Sequence, residues 1–255
     1  MTDNADLKEK DLNEAKSNVI DESPINEELL NSPKAEELKD MISAGVWYGR
    51  KHSKTNPKMK PFIFTNRNNI EIIDLEKTVT ALEASSVILK SHMDSGGTVL
   101  FVGTQPAAKQ EIESLAKKLN QPYVVNRWLG GMLTNFETLN KRVEYFKKLK
   151  KDRDSGELEK YTKKERAGFN REISRLDTFF SGTENMTKIP NLMLIINPIL
   201  HATALREAIR MKIPVIALAS TDANPDLITY LIPGNDNAPK SITWILNNLE
   251  KALSK

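Results

Sequence analysis

Two patterns of apolar residues alternate along this chain. The first is a short continuous run of strand type, rich in Val, Ile, Leu and Phe. Residues 70–74, 98–103, 123–126, 192–197, 215–220 and 231–232 read this way. Runs this short and this uniformly apolar suit strands covered on both faces. The second pattern recurs every three to four residues, as a helix with one buried stripe requires. Val79, Leu82, Ile88 and Leu89 mark a helix over 78–95, closed by Gly96 and Gly97. Ala108, Ile112, Leu115 and Leu119 mark another over 106–119. Two more are expected near 201–211 and over 239–253. Repeated β-α-β units of this length predict an α/β fold, a parallel sheet with helices on both faces.

One segment breaks the rhythm. Residues 134–182 hold no strand candidate. Phe136, Leu139, Val143 and Phe146 recur at helical steps, and so do Phe169, Ile173, Leu176 and Phe180. Asp154-Ser155-Gly156 supplies a turn, and Thr162 with Glu165 has the form of a capping box. The pattern predicts two antiparallel helices with a narrow apolar seam, an inserted α-helical coiled-coil hairpin projecting from the α/β body. Its seam residues are read as structural. Of its charges, thirteen basic and nine acidic between Phe136 and Gly182, most read as a solvated face. A minority would touch RNA or a neighbouring protein.

Charge changes the picture at the N-terminus. The formal net charge is +3, yet residues 1–40 hold twelve Asp/Glu against five Lys/Arg, and the remainder carries the compensating excess of cations. Residues 1–31 contain only scattered Leu, Ile and Val, too few to offset the entropy of ordering, and read as a mostly disordered acidic extension. Order is expected from Ser32 as helix N-cap, Pro33 in the first turn, and Leu38, Met41 and Ile42 as the apolar face, with Gly45 as the stop. The expected organisation is thus 1–31 extension, 32–133 with 183–255 as the α/β domain, and 134–182 as the insertion.

The basic excess concentrates in residues 45–69, which carry six Lys/Arg and no carboxylate. Trp47, Tyr48, Phe62 and Phe64 are interleaved with the cations, as are Asn56, Asn66, Asn68 and Asn69. A polyanion explains such segregation, because each cation set against a phosphate releases a condensed counterion. Asn side chains and aromatic faces add the hydrogen bonds and stacking surfaces that hold irregular RNA. A solvated basic loop is the plainer alternative.

A search for catalytic chemistry finds little. With no cysteine, thiol catalysis, disulfides and cysteine-ligated zinc are excluded, and a reducing cytosol fits. No apolar run approaches the ~20 residues of a membrane span. The turn Gly103-Thr104-Gln105-Pro106-Ala107-Ala108 lacks the spaced glycines of a dinucleotide site and the Gly-Lys-Ser/Thr of a phosphate loop. A small anion at the following helix N-terminus stays open. His52, His92 and His201 are the only histidines, none at metal-binding spacing of another. His92 reads as a surface residue and His52 as an RNA contact. Asp74, Asp222 and Asp236 stand at strand ends, where loop capping explains them. No cofactor is expected.

Two further motifs stand out. Residues 127–136 set Arg127 and Trp128 beside Gly130-Gly131, immediately before the insertion. Trp128 would pack at the insertion's root or stack on a base. Residues 232–239 end a strand and cap a helix through Asn235, Asp236 and Asn237.

At these residues the chain resembles the family of the second protein of the bacterial small ribosomal subunit. The resemblance is carried by Ala44-Gly45-Val46, the Asn56-Pro57-Lys58-Met59-Lys60-Pro61-Phe62-Ile63-Phe64 run and Ile72-Ile73-Asp74-Leu75-Glu76-Lys77-Thr78. Val99-Leu100-Phe101-Val102-Gly103-Thr104, residues 127–136, residues 230–236 and Ser241-Ile242 continue it. It spans about residues 37–250 and includes the insertion. It implies a Rossmann-like three-layer α/β/α sandwich and a non-enzymatic, cytoplasmic, structural component of the small subunit. It further implies contact with small-subunit ribosomal RNA near the head-body junction, and with neighbouring ribosomal proteins, among them the large flexible first protein of that subunit. Where the family usually has His-Phe-Gly-His this chain has Trp47-Tyr48-Gly49-Arg50, so no metal site is carried over. The family's Asp-Pro is Asn197-Pro198 here.

Arg50, Lys51, Lys54, Lys58, Lys60 and Arg67 are the expected phosphate contacts, with His52, Asn56 and Asn66 as polar helpers. Arg127, Lys147 and Lys151 extend the set. Two rivals remain at this level: a small-molecule enzyme on the same scaffold, and a protein-docking module whose insertion is the interface.

Overall fold

The computed structural model describes residues 35–253. The acidic extension, Ser32 and Pro33 lie outside the described residues. Helix α1 (Ala35–Ala44) is closed by Gly45, whose φ of 73° a side chain would resist. The Gly45 N–H bonds the Ile42 carbonyl at 3.0 Å, as the stop signal requires.

Residues 45–69 are more structured than their polarity suggests. Strands β1 (Tyr48–Lys51) and β2 (Ile63–Arg67) flank β3 (Ile70–Ile73) in an antiparallel sheet of order β1-β3-β2. Only β3 was legible beforehand. Strand β2 lacks an alternating apolar pattern because, of its residues, only Ile63 is partly buried and the rest are exposed. Two 3-10 turns, His52–Lys54 and Pro57–Phe62, join β1 to β2, and the second inserts fully buried Met59. The β2–β3 connection is two residues long. Asn68 (φ 50°) and Asn69 (φ 65°) both adopt the left-handed conformation that a tight hairpin needs, so these asparagines serve the turn.

The main sheet confirms the α/β expectation. Strands β4 (Val99–Val102), β5 (Tyr123–Val124), β6 (Leu192–Ile196), β7 (Val215–Ala219) and β8 (Tyr230–Pro233) are all parallel, in the order β5-β4-β6-β7-β8. Every residue of β4, β6 and β7 is buried, which explains their unbroken apolar runs. Helices α2 (Leu75–Asp94) and α3 (Pro106–Lys118) both pack against the last helix, α7 (Pro239–Leu253). The chain leaves β4 towards β5 but leaves β6 in the opposite direction, towards β7. Right-handed crossovers therefore place α3 and α6 (Ala202–Arg210) on opposite faces. The result is the three-layer α/β/α, Rossmann-like sandwich.

The insertion consists of α4 (Phe136–Asp154) and α5 (Lys163–Phe180), with the capping box formed at Thr162 and Glu165. The Thr162 N–H donates to Glu165 Oε2 at 2.9 Å. Val143, Phe146 and Leu149 pack with Ile173, Leu176 and Phe180, and Phe169 joins from the edge. Phe136 instead packs on the cluster beneath the sheet, and Leu139 touches both clusters. The apolar stripe thus begins as the root of the insertion and only then becomes its seam.

Candidate nucleic-acid interface

Arg50 is one of the links that join the three-stranded sheet to the body. Its backbone N–H donates to Thr221 Oγ1 at 2.9 Å, its Nε to Asp222 Oδ2 at 3.1 Å and its Nη2 to Asp236 Oδ1 at 2.8 Å. The Asn56 N–H adds a bond to the Thr221 carbonyl at 2.9 Å. Gly49 keeps this junction tight. A Cβ there would lie 2.7 Å from both the Glu71 carbonyl and Thr221 Cγ2. Arg50 was expected to face phosphate, and the structure turns it inward. The cause is Asp236, a buried carboxylate that needs a counterion. Burial pushes Asp236 up to about 6; Arg50 opposes the shift and Asp222 adds to it.

The other candidates divide into three groups. Lys51, Lys54 and Lys60 are exposed and meet no carboxylate among the described residues. Asn66 and Arg67 are exposed on β2 beside Phe64. His52 and Lys58 have acidic partners. His52 Nδ1 lies 2.5 Å from buried Glu71 Oε1, and Lys58 pairs with Asp226 at the surface. Asn56 is committed locally: its Oδ1 accepts the Lys58 N–H at 3.0 Å and caps the second 3-10 turn. Trp47 and Tyr48 stack with ring centroids 3.7 Å apart. The Trp47 indole donates to the Ile42 carbonyl at 3.2 Å, which leaves Tyr48 as the exposed member.

Arg127, Lys147 and Lys151 are exposed but belong to other surfaces. Arg127 follows β5, at the far edge of the main sheet from β8, whose following loop carries Asp236. Four strand spacings separate those edges, about 19 Å. Lys147 and Lys151 lie one turn apart on α4. Between them Lys150 is engaged by Glu184 at 2.5 Å and Asp177 at 3.4 Å.

Trp128 takes the structural option. Its Nε1 donates to Glu207 Oε1 at 3.1 Å, and its ring packs on the core. Glu207, on α6, collects four more donors: the Gly131 N–H at 2.8 Å, Leu133 N–H at 3.0 Å, Thr134 N–H at 3.2 Å and Thr134 Oγ1 at 3.2 Å. Burial disfavours its charge, but the Leu133 and Gly131 amides, the Trp128 indole and the Thr134 amide outweigh it and hold the carboxyl below its usual range. One buried carboxylate thereby fixes the root of the insertion. Sequence reading missed it; an acid within the apolar stripe of residues 204–208 was the available signal.

The usual ligand position of such a sheet is the crevice where strand order reverses, here between β4 and β6. It is closed by internal bonds. His201, buried, donates from Nδ1 to the Asn197 carbonyl at 2.9 Å and accepts the Thr104 N–H at Nε2, 3.0 Å away. These partners assign the neutral tautomer, and burial lowers the imidazole's affinity for a second proton. Gln105 Nε2 donates to the Asp236 carbonyl and fills the next position. No group of three or more His, Cys, Asp or Glu among the described residues is arranged to hold a metal ion. No described helix is long and apolar enough to cross a membrane.

Comparison with known proteins agrees with the fold. The family model "Ribosomal protein S2" matches residues 41–255. The small ribosomal subunit protein uS2 of Dictyoglomus thermophilum is 42% identical, covering 85% of this chain and 88% of the relative. That of Thermus thermophilus is 42% identical over 82% of each chain. That of Coprothermobacter proteolyticus is 40% identical, covering 85% of this chain and 81% of its own. With a body of parallel strands, a helical insertion rooted in the 127–136 motif and a family match over nearly all described residues, this chain belongs to the ribosomal protein S2 family, a family of structural proteins and not of enzymes.

Proposed function

We propose that this chain is a structural constituent of the cytoplasmic small ribosomal subunit and docks on small-subunit ribosomal RNA through its three-stranded sheet. The observation that carries the docking surface is the set Lys51, Lys54 and Lys60, at the end of β1 and in the two 3-10 turns that follow it, exposed and meeting no acid among the described residues, beside the Arg50 junction to the body. Cations held on a fixed frame lose less entropy on meeting phosphate than cations on a loose loop. Arg67, Asn66 and exposed Phe64 extend this surface along β2. Lys58 joins it by exchanging its exposed partner Asp226 for phosphate, and His52 lies beside it. Arg127 forms a separate contact on the far edge. Lys147 and Lys151 face RNA or a neighbouring ribosomal protein along α4. The names of the relatives support the ribosomal role. On the family resemblance we read the contact as lying near the head-body junction, with the large first protein of the subunit among the neighbours.

The salt dependence of RNA binding tests the surface. Replacing Lys51, Lys54 and Lys60 together by Ala should flatten the slope of log K against log salt by roughly 0.7–0.9 for each lysine. An unchanged slope rejects this sheet as the docking surface. The exposed positions make these replacements neutral for folding, which thermal unfolding checks.

A further inference from the structure

A second acid-free surface lies on the opposite side of the sheet from α3, and its chemistry differs from that of the basic sheet. Four of the eleven large hydrophobic residues exposed among the described residues fall within one short segment: Ile199, Leu200, Ile209 and Met211. They lie at the two ends of α6, whose inner face is Ala204, Leu205, Glu207 and Ala208. At 100° per residue the outward line runs through Thr203, Arg206 and Arg210. Both arginines are exposed and meet no carboxylate among the described residues, and neither does Lys212.

Two features show that the exposure is built in. Asn197 adopts φ 62°, and its Oδ1 accepts the Leu200 N–H at 3.0 Å. That turn, held further by His201 against the Asn197 carbonyl, keeps Ile199 and Leu200 outside while Pro198 is buried. The only carboxylate from residue 197 to 214 is Glu207, which points inward and is consumed by five donors at the insertion root. The positive charge of α6 is therefore not neutralised from within its own segment.

We infer that the outer face of α6 is a protein-docking surface, and that its partner presents an apolar segment flanked by Asp or Glu. Exposed aliphatic side chains at both ends of a line of arginines match the make-up of protein interfaces, where apolar and polar contacts adjoin and Arg is enriched. The charges set the sign of the partner. RNA fits less well, because phosphates would answer the arginines but nothing in a phosphate backbone would cover Ile199 and Leu200. The inference stands apart from the RNA-docking sheet and survives if that sheet is reassigned.

The test places a photo-cross-linking amino acid at Thr203 of the full-length chain in its native cells. The expected product is an adduct that resists ribonuclease and whose captured peptide, read by mass spectrometry, is acidic and comes from another protein. Its yield should fall roughly tenfold in the Arg206→Glu/Arg210→Glu variant, as reversed charges impose like-charge contacts. It should also fall in Ile199→Ser, which keeps the charges and removes apolar cover. An adduct lost to ribonuclease overturns the inference, as does capture of a basic peptide, an adduct within the chain itself, indifference to charge reversal, or no adduct. The salt slope set by Lys51, Lys54 and Lys60 is unaffected by these variants, so this test and the preceding one fail separately.

Discussion

The three-stranded sheet and the root of the insertion both bring ionised groups against backbone, and they do so in opposite ways. At the sheet, Lys51, Lys54 and Lys60 stand on short, mostly exposed elements and meet no acid among the described residues. At the root, Glu207 is buried and every donor around it points at one carboxylate. A charge meant for a partner must stay solvated until the partner arrives. A charge that holds the fold must already have replaced its water with protein donors. Arg50 sits within the first region in sequence but follows the rule of the second, because its partners Asp222 and Asp236 belong to the body.

Removing the saturated carboxylate should break this contrast most strongly. Glu207→Ala orphans the Trp128 indole, three backbone amides and the Thr134 hydroxyl at once. A loss of about 3–5 kcal/mol is expected, comparable to stripping one partner from a buried charged pair. Urea unfolding measures it, and a loss below about 1 kcal/mol would show that the root does not depend on Glu207. Glu207→Gln, which keeps one acceptor oxygen, should cost less.

The Arg50 junction ranks next and carries a pH signature. The Asp236 carboxyl titrates at about 6 in the folded protein, above its ordinary value near 3.8. A raised carboxyl pKa means that the folded state binds the proton more tightly. Its contribution to stability is thus fully present below about pH 4 and is lost as pH rises to about 6, an effect of about 3 kcal/mol. Asp236→Asn should flatten the stability profile over that window. Arg50→Met should extend the decline above pH 6, since the guanidinium is what opposes the upward shift. Chemical denaturation at a series of pH values reads both, and matching profiles for wild type and Asp236→Asn would refute the assignment.

The smallest effect bears on the other side of the comparison. Lys58 and Asp226 pair at the surface with side chains 57% and 58% exposed. Lys58→Ala should change folding stability by less than about 0.5 kcal/mol. If Lys58 exchanges this partner for phosphate, the same variant still lowers the salt slope of RNA binding.

The legible parts of this protein share one physical property. Strands β4, β6 and β7 are wholly buried, so both faces must be apolar and the sequence shows it directly. Helices α2, α3 and α7 show their buried stripes, and Thr162 with Glu165 announces the start of α5. Strands β1 and β2 were hidden because a small exposed sheet has little apolar alternation to display. Their one local clue, Asn68-Asn69, reads as RNA chemistry until its positive φ angles identify a turn. The candidate site was legible as a charge pattern. Which cations face outward was not, because the acids that claim Arg50 and Lys58 lie more than 160 residues away.

The order of residues alone is enough for the α/β class, the two helices of residues 136–154 and 163–180, the concentration of cations in residues 45–69 and the family. These follow from local periodicity, composition and motif order, all properties of neighbouring residues. It takes the folded arrangement to show that Arg50 is engaged by Asp222 and Asp236, that Trp128 and Glu207 meet at the insertion root, and that His201 closes the strand-order crevice. Each of those outcomes depends on a buried polar group finding its partner across the fold, and the cost of leaving such a group unpaired is what selects the arrangement.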